Sequence, residues 1–363
     1  MRFPEFHGEW EKCKLGDIAT LTKGSGISKD QRSATGTPCI LYGELYTTYK
    51  SEVIDYVVSK TDISDKNLVR SCANDIIIPS SGETAIDIST ARCVLSPDVL
   101  LGGDLNIIRL KDGDGRFFSY QLNGVRKHDI AKIAQGVSVV HLYGESIKGL
   151  TVSFPSNKEQ QKISTLLSLI DERIATQSKL IEKLESLIKG IAQKIVRNKP
   201  NVRLAECLEC KSSTLQESEV CEQGTYPVYG ANGIVGFLDN YSTEGEAVYI
   251  IKDGSGVGTV SYVTGKCSAT GTLNTLQAKE SYSLQYFYYL LKVFNFEPYK
   301  TGMAIPHIYF KDYGKAKVFC PSYTEQLQYA RLLSAIDNKL SAERHILTNL
   351  SLQKQYLLRQ MFI

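Results

Sequence analysis

Two stretches decide the fold: FPSNKEQQKISTLLSLIDERIA at 154–175 and CPSYTEQLQYARLLSAIDNKLS at 320–341. They belong to a longer repeat, because residues 136–196 align with residues 302–362 without a gap, at a constant offset of 166 positions. Solenoid units recur roughly every 20–50 residues, so a repeat of this length indicates two copies of one domain. Each copy ends in the same long segment, which suggests a protein that contacts two similar targets.

Both stretches have the pattern of a long amphipathic helix. Apolar residues recur at alternating steps of four and three, as in a coiled-coil heptad. At 1.5 Å per residue each helix would be about 60 Å long. Each begins with the spacing of a capping box, formed by Ser156 with Glu159 and by Ser322 with Glu325.

A helix with such an apolar seam must bury it, and the natural partner here is its own repeat. We therefore predict antiparallel pairing, with the polar interruptions Gln177 and Glu343 close together and fixing the register. The alternative is that each of the two side chains reaches water separately. The predicted fold class is α+β, with two mainly-β globular domains separated by two long antiparallel coiled-coil helices and a pseudo-twofold internal repeat. The predicted domains are residues 1–155 (first globular domain), 156–200 (first helix), 201–321 (second globular domain) and 322–363 (second helix).

Composition excludes several classes of protein. The 363 residues have a net charge of +3 and no apolar run long enough for a membrane span, and the N-terminus has no apolar leader segment. We expect a cytoplasmic protein with no membrane partner. Nine scattered cysteines fit reduced thiols. Cys207 and Cys210 have the spacing of half a zinc site, but no second pair follows, so we expect no metal.

The sequence offers little catalytic chemistry. The glycine-rich loop 253–258 follows a predicted strand, but a strand rather than a helix follows the loop, which favours a hairpin over a nucleotide site. His141 and His307 occupy matched repeat positions without a matched carboxylate or nucleophile. They are expected to anchor the domain to its helix or to contact phosphate. We predict no catalytic residue and no cofactor in this chain.

Polar, aromatic and basic loops recur in both copies. They combine donors suited to phosphate with groups able to read base edges, which favours nucleic-acid binding. The first-copy candidates are Lys23, Ser25, Lys29, Gln31, Arg32, Tyr42, Thr47, Thr48 and Ser81. The second-copy candidates are Lys211, Ser212, Ser213, Tyr229, Asn232, Lys252, Ser255, Thr270, Thr272 and Asn274.

Motifs along nearly the whole chain resemble the specificity (S) subunits of type I restriction–modification systems. They are WEKCKLGDI at 10–18, YPVYGANGI at 226–234, ATGTLN at 269–274, IPHI at 305–308, PSYTEQ at 321–326 and LLRQMFI at 357–363. The first copy departs from this pattern, with LGGDLN at 101–106 in place of ATGTLN.

This resemblance implies two target recognition domains that read the halves of a split site in double-stranded DNA. It also implies helices that set the spacer and dock two methyltransferase (M) subunits, with nuclease–translocase (R) subunits completing the complex. Methylation and cleavage would then belong to those partners. The docking candidates on the helices are Ile170, Ile174, Leu184, Ile336, Leu340 and Leu350.

Two other functions fit parts of the sequence. A coiled-coil adaptor could bind proteins or glycans through two globular ends, and its binding would be insensitive to salt. A metal-dependent enzyme could be built around Cys207 and Cys210, and it would contain zinc.

Overall fold

A computed structural model describes residues 1–64 and 67–362 and divides the chain into two compact units. Unit 1 comprises Met1–Ser178 and Ile346–Ile363, and unit 2 comprises Lys179–His345. Each unit therefore takes one globular part and portions of both long helices. The units do not follow the linear order of the predicted domains, because each helix is divided between them.

Unit 1 is built on a five-stranded sheet in the order β2-β10-β6-β8-β4. Its strands are β1 (Glu11–Lys14), β2 (Ala19–Lys23), β3 (Thr37–Ile40), β4 (Val53–Ile54), β5 (Lys60–Thr61), β6 (Asp75–Pro79), β7 (Ser81–Gly82), β8 (Arg92–Val94), β9 (Leu100–Leu101), β10 (Leu105–Leu110), β11 (Val140–His141) and β12 (Thr151–Phe154). Its helices are α1 (Leu15–Ile18), α2 (Glu44–Thr47), α3 (Ala85–Ile88), α4 (Gly115–Asn123), α5 (Lys127–Ile133), α6 (Gly144–Lys148) and the start of the long helix α7 (Asn157–Val196).

Unit 2 is built on a four-stranded sheet, β14-β20-β17-β18, and a three-stranded sheet, β16-β15-β19. Its strands are β13 (Val202–Arg203), β14 (Leu208–Ser212), β15 (Tyr226–Gly230), β16 (Gly233–Leu238), β17 (Glu246–Ile251), β18 (Val260–Thr264), β19 (Ser268–Ala269), β20 (Leu273–Ala278) and β21 (Lys317–Val318). Its helices are α8 (Leu204–Cys207), α9 (Leu284–Lys292), α10 (Phe310–Tyr313) and the first part of α11 (Tyr323–Gln360).

The two units share one topology even where their sequences diverge. The order β2-β10-β6-β8 in unit 1 corresponds to β14-β20-β17-β18 in unit 2, and the pair β1-β12 corresponds to β13-β21. The parallel pair β3-β9 likewise corresponds to β15-β19. The duplication therefore includes the globular parts, although only the segments around the helices align without gaps.

The apolar seam of the long helices closes the core of unit 1. Residues from the central sheet, from α7 and from α11 share one buried cluster, which includes Ile76, Ile108, Ile163, Leu167, Leu357 and Met361. The C-terminal end of α11 thus lies beside the N-terminal part of α7, and the two segments are antiparallel. Heptad periodicity produces this packing because it places the apolar side chains on one face.

The helix segments of unit 2 are antiparallel as well. Arg344 near the middle of α11 donates to Glu185 of α7 at 2.6 Å. Further along, Leu333 of α11 and Ile195 of α7 line one small cavity with Tyr286 of α9. The predicted antiparallel pairing and the α+β fold class are therefore confirmed. No helix of the described residues is long and apolar enough to span a membrane.

The two long helices begin differently. At α11 the predicted capping box forms, with the Ser322 backbone N–H and hydroxyl donating to Glu325 at 3.1 and 2.6 Å. At α7 the Glu159 carboxylate instead accepts two 2.7 Å hydrogen bonds from Arg2. The capping box predicted for Ser156 and Glu159 is therefore wrong, because a distant cation occupies the carboxylate.

Gln177 and Glu343 belong to different units, so the predicted contact between them stays a prediction. Glu343 is buried and forms an ion pair with Lys339, one turn earlier on α11. This pair keeps the buried carboxylate neutralised within its own helix.

Candidate nucleic-acid interface

A cavity with a volume of about 820 Å³ lies in unit 1. Six of the first-copy candidates line it: Lys29, Gln31, Arg32, Tyr42, Thr47 and Thr48. They come from two separate segments, one after β2 and one that follows β3 and includes the end of α2. The fold therefore brings together residues that the sequence presents as two independent candidate loops.

A short capped turn holds the first of these loops. Residues Lys29–Gln31 form one turn of 3₁₀ helix, and the Ser28 backbone N–H donates to the Gln31 side chain at 2.8 Å. The Thr61 hydroxyl donates to the Gln31 carbonyl at 2.7 Å. These bonds fix the backbone from which Lys29 and Arg32 project, and both residues are exposed.

A buried carboxylate stands beside this turn. Glu44, the first residue of α2, is only 6% exposed. It accepts from the Leu41 backbone N–H at 2.8 Å and from the Ser59 hydroxyl. The Arg32 guanidinium lies 3.6 Å from the Glu44 carboxylate. The cavity wall therefore combines a fixed negative charge with an exposed arginine.

The other first-copy candidates lie elsewhere in unit 1. Lys23 lines a separate cavity of about 410 Å³ with Tyr143 and Lys148. The Ser25 hydroxyl accepts from the Val69 backbone N–H at 2.7 Å. Ser81 pairs with His141 between β7 and β11. Ser25 and Ser81 thus make contacts that hold the fold together.

Unit 2 has the same turn with more acidic side chains. Residues Glu217–Glu219 form a 3₁₀ turn between β14 and β15, just as Lys29–Gln31 do between β2 and β3. The Gln216 backbone N–H donates to Glu219 at 2.8 Å, which repeats the cap of unit 1. Acidic side chains therefore stand in unit 2 where unit 1 presents a lysine and a glutamine.

The second-copy candidates divide into exposed and internal residues. Lys211, Ser212, Asn232 and Ser255 are exposed. Asn274 is buried, and its amide donates to the Tyr313 hydroxyl at 3.2 Å, while Thr270 is buried and hydrogen-bonds to Thr272 at 2.8 Å. Half-buried candidates complete the set: Ser213, Tyr229, Lys252 and Thr272. The internal partners of Asn274 and Thr270 leave both residues inaccessible in this structure.

The matched histidines differ in their partners. His307 Nδ1 lies 2.6 Å from the Asp253 carboxylate, at the start of the glycine-rich loop. His141 stacks on Tyr143, with ring centroids 6.3 Å apart. The loop itself joins β17 to β18, so the predicted hairpin is confirmed. Asp253 and His307 lie 54 positions apart in the sequence, so only the structure shows that they are in contact.

The six predicted docking residues are buried or half-buried within the units, and their docking role stays a prediction. Ile170, Leu340 and Leu350 are buried, and Ile174, Leu184 and Ile336 are half-buried. The exposed apolar side chains on the helices are different ones: Leu169, Leu180 and Leu187 on α7, and Tyr323, Leu332, Ile346, Leu352 and Tyr356 on α11. Heptad reasoning misses them because it marks the buried face of a helix.

Cys207 and Cys210 differ in exposure: Cys207 is buried and Cys210 is half-buried. The Cys207 thiol donates to the Arg203 carbonyl at 3.6 Å, and its hydrogen bond with Cys320 raises the pKa of Cys207, as does burial. Within residues 1–64 and 67–362, no group of three potential ligand side chains could hold a metal ion.

Comparison with known proteins identifies the class. Residues 7–186 and 198–352 each match the sequence model of the family described as Type I restriction modification DNA specificity domain. A putative type I specificity subunit of Mycoplasma genitalium is 26% identical over 379 residues, covering 97% of this chain and 94% of the relative. The MjaVIII specificity subunit of Methanocaldococcus jannaschii is 24% identical over 205 residues, covering 53% of this chain and 44% of the relative.

Solved structures agree on the fold. The crystal structure of a type I restriction–modification S subunit from M. genitalium superposes with a TM-score of 0.72 at 21% identity, covering 100% of this chain and 99% of that one. A chain from a study of assembly and conformational transition of the type I system gives a TM-score of 0.56 at 14% identity, with 98% and 97% covered. The chain belongs to the type I restriction–modification DNA specificity family, with two copies of its domain.

Proposed function

We propose that this chain reads a two-part DNA site, one half-site with each unit. This proposal rests on a difference in charge between matched positions of the two units. The same capped turn presents Lys29 in unit 1 and Glu217 in unit 2. Two domains that keep one fold but present different donors and acceptors are suited to read different base sequences.

The long helices would separate the two half-sites and dock two methyltransferase subunits. The exposed leucines of α7 and the exposed apolar residues of α11 are the candidate contacts, since they are apolar side chains on the helices that face solvent. Nuclease–translocase subunits would join the same assembly. The chemistry and its cofactors would reside in those partners, and this chain would act in the cytoplasm as a recognition subunit without a cofactor of its own.

Methylome sequencing tests the recognition proposal directly. Cells that express this chain with the methyltransferase of its own system should methylate one motif of two short sequences separated by an unread spacer of fixed length. Cells with the methyltransferase alone provide the control and should lack that motif. A single uninterrupted motif, or methylation without sequence preference, would contradict the proposal.

Salt dependence separates recognition of DNA from the adaptor function. Phosphate contacts release counterions, so binding to DNA should weaken steeply as salt rises. Binding of the assembled complex should therefore fall by orders of magnitude between low and moderate salt. Tight binding to a protein or glycan with no such dependence, and none to DNA, would favour the adaptor.

A further inference from the structure

We propose that Arg32 reads a guanine in the half-site of unit 1 and that Glu44 is the buried residue that positions it. This inference rests on the proposed DNA recognition and deepens it by naming one base and one side chain. It comes from the geometry of the 820 Å³ cavity, where an exposed arginine meets a buried carboxylate.

The Arg32 guanidinium is held along one side. Its Nε donates to the Lys29 carbonyl at 3.3 Å, and its Nη1 lies 3.6 Å from a Glu44 oxygen. Among the residues that the structure describes, Nη2 has no protein partner. Because the guanidinium is planar, N–H donors on its other side point away from the Lys29 carbonyl and the Glu44 carboxylate.

The anchor itself is fixed inside the fold. The Leu41 N–H and the Ser59 hydroxyl hold the Glu44 carboxylate at the start of α2. The contact with Arg32 is long, and the arginine side chain is 38% exposed, so the pair adds little to folding stability. A contact that adds little to stability but orients an exposed arginine is better explained by a binding role.

The chemistry of the cavity favours a G·C pair. Arginine with two parallel N–H groups matches the O6 and N7 acceptors of guanine in the major groove, the commonest specific contact between protein and DNA. Asp104 is exposed and lines the same cavity. Its carboxylate is the group that accepts from the N4 amino group of cytosine.

Unit 2 has no equivalent of this arginine. Val220 follows its 3₁₀ turn at the position that Arg32 holds in unit 1. The guanine contact should therefore belong to one half-site, and changes at Arg32 should leave the other half-site unaltered.

The test measures base preference at every position of the site. The chain, assembled with its methyltransferase partners, is given DNA in which each base pair of both half-sites is replaced in turn. In Arg32→Ala and Arg32→Lys we expect the preference for guanine at one position to fall roughly 5- to 150-fold. Preferences at the other positions and in the second half-site should persist. Lysine keeps the charge but loses the paired donors, so its failure to rescue would identify bidentate reading.

Three variants serve as controls. Lys29→Ala, which changes an exposed lysine on the same turn, should weaken binding to all sequences equally and reduce the salt dependence. Val220→Ala should leave the guanine preference intact. Glu44→Gln should lower the preference at the same position as Arg32→Ala, by a smaller factor; a thermal unfolding curve shows whether that variant is folded.

The outcomes separate two failures. If the wild-type complex shows no two-part motif, the proposed function itself is wrong. If the motif is present and Arg32→Ala weakens all sequences equally, Arg32 contacts phosphate and the guanine assignment is wrong. An unchanged motif in Arg32→Ala, or a first half-site without a G·C pair, would overturn the assignment as well.

Discussion

Asp171 and Asp337 occupy the same position of the repeat, yet their surroundings differ. In unit 1, Asp171 is buried, accepts from the Tyr120 hydroxyl at 2.8 Å and pairs with the ammonium group of Lys354. In unit 2, Asp337 is half-buried and accepts from the Tyr289 hydroxyl at 3.4 Å. It borders a cavity of about 290 Å³. Both copies contain the aspartate and a tyrosine that donates to it, but the residues around this pair differ.

Two negative and two positive groups lie together around Lys354 in unit 1. Lys354 bridges Glu52 and Asp171, and the buried Arg92 supplies a second positive charge. Ile188 stands at the repeat position of Lys354 in the other copy. Since both units have the same sheet order, the topology depends on the apolar core and does not require this ionic network.

Removing the central lysine should give the largest effect. Lys354→Met leaves two carboxylates at about 10% exposure facing one arginine, and breaking such a buried pair costs about 3–5 kcal/mol. We expect unit 1 to unfold at lower denaturant while unit 2 is unaffected. Hydrogen exchange followed by peptide mass spectrometry resolves the two units.

Two further variants sharpen this result. Lys300→Met removes an exposed pair with Glu297 and should cost less than about 1 kcal/mol. The double change of Lys354→Met and Asp171→Asn leaves the buried Glu52 facing the buried Arg92, so it removes the uncompensated negative charge and should recover part of the stability. If Lys354→Met lowers the free energy of unfolding no more than Lys300→Met does, then water rather than lysine neutralises the network.

These residues show what the sequence can predict and what it cannot. The helices, their antiparallel pairing and the duplicated domains follow from local periodicity and from the repeat itself. Lys354 is visible in the sequence only as a polar interruption of the heptad pattern, because its partner Glu52 lies 302 positions away. The same limit applies to Arg2 with Glu159, and to Asp253 with His307. Contacts between residues so far apart in the sequence depend on the tertiary structure, and local sequence periodicity does not predict them.

The two units should differ in their stability at alkaline pH, because they contain different numbers of buried tyrosines. Burial raises the pKa of Tyr249, Tyr286, Tyr289 and Tyr313 in unit 2 above the ordinary value of 10.0, and it does the same for Tyr49 and Tyr120 in unit 1. A raised folded-state pKa means that the stability is complete below pH 10 and falls as the pH rises above it. Each such tyrosine costs about 1.4 kcal/mol per pH unit in that window.

We therefore expect unit 2, with more of these groups, to unfold at lower alkaline pH than unit 1. Tyrosinate absorbance with hydrogen exchange measures both events. Tyr289→Phe, whose hydroxyl makes only a 3.4 Å bond to Asp337, should shift the alkaline transition of unit 2 upward. Simultaneous loss of both units would show that they unfold as one cooperative body.

The smallest effect concerns the two helix starts. Ser322→Ala removes the side-chain cap of α11 and should cost about 1 kcal/mol, because an N-terminal N–H group loses its acceptor. Ser156→Ala should cost less, since Arg2 occupies the Glu159 carboxylate that would complete the box at α7. The hydrogen bond from the Ser322 side chain lowers the pKa of Glu325 below its ordinary 4.5. The contribution of this cap is therefore present above pH 4.5 and disappears as the pH falls through the lowered pKa. Unfolding curves of both variants at neutral and acidic pH measure this difference in the free energy of unfolding. If both substitutions lower it equally, the capping box adds nothing at α11.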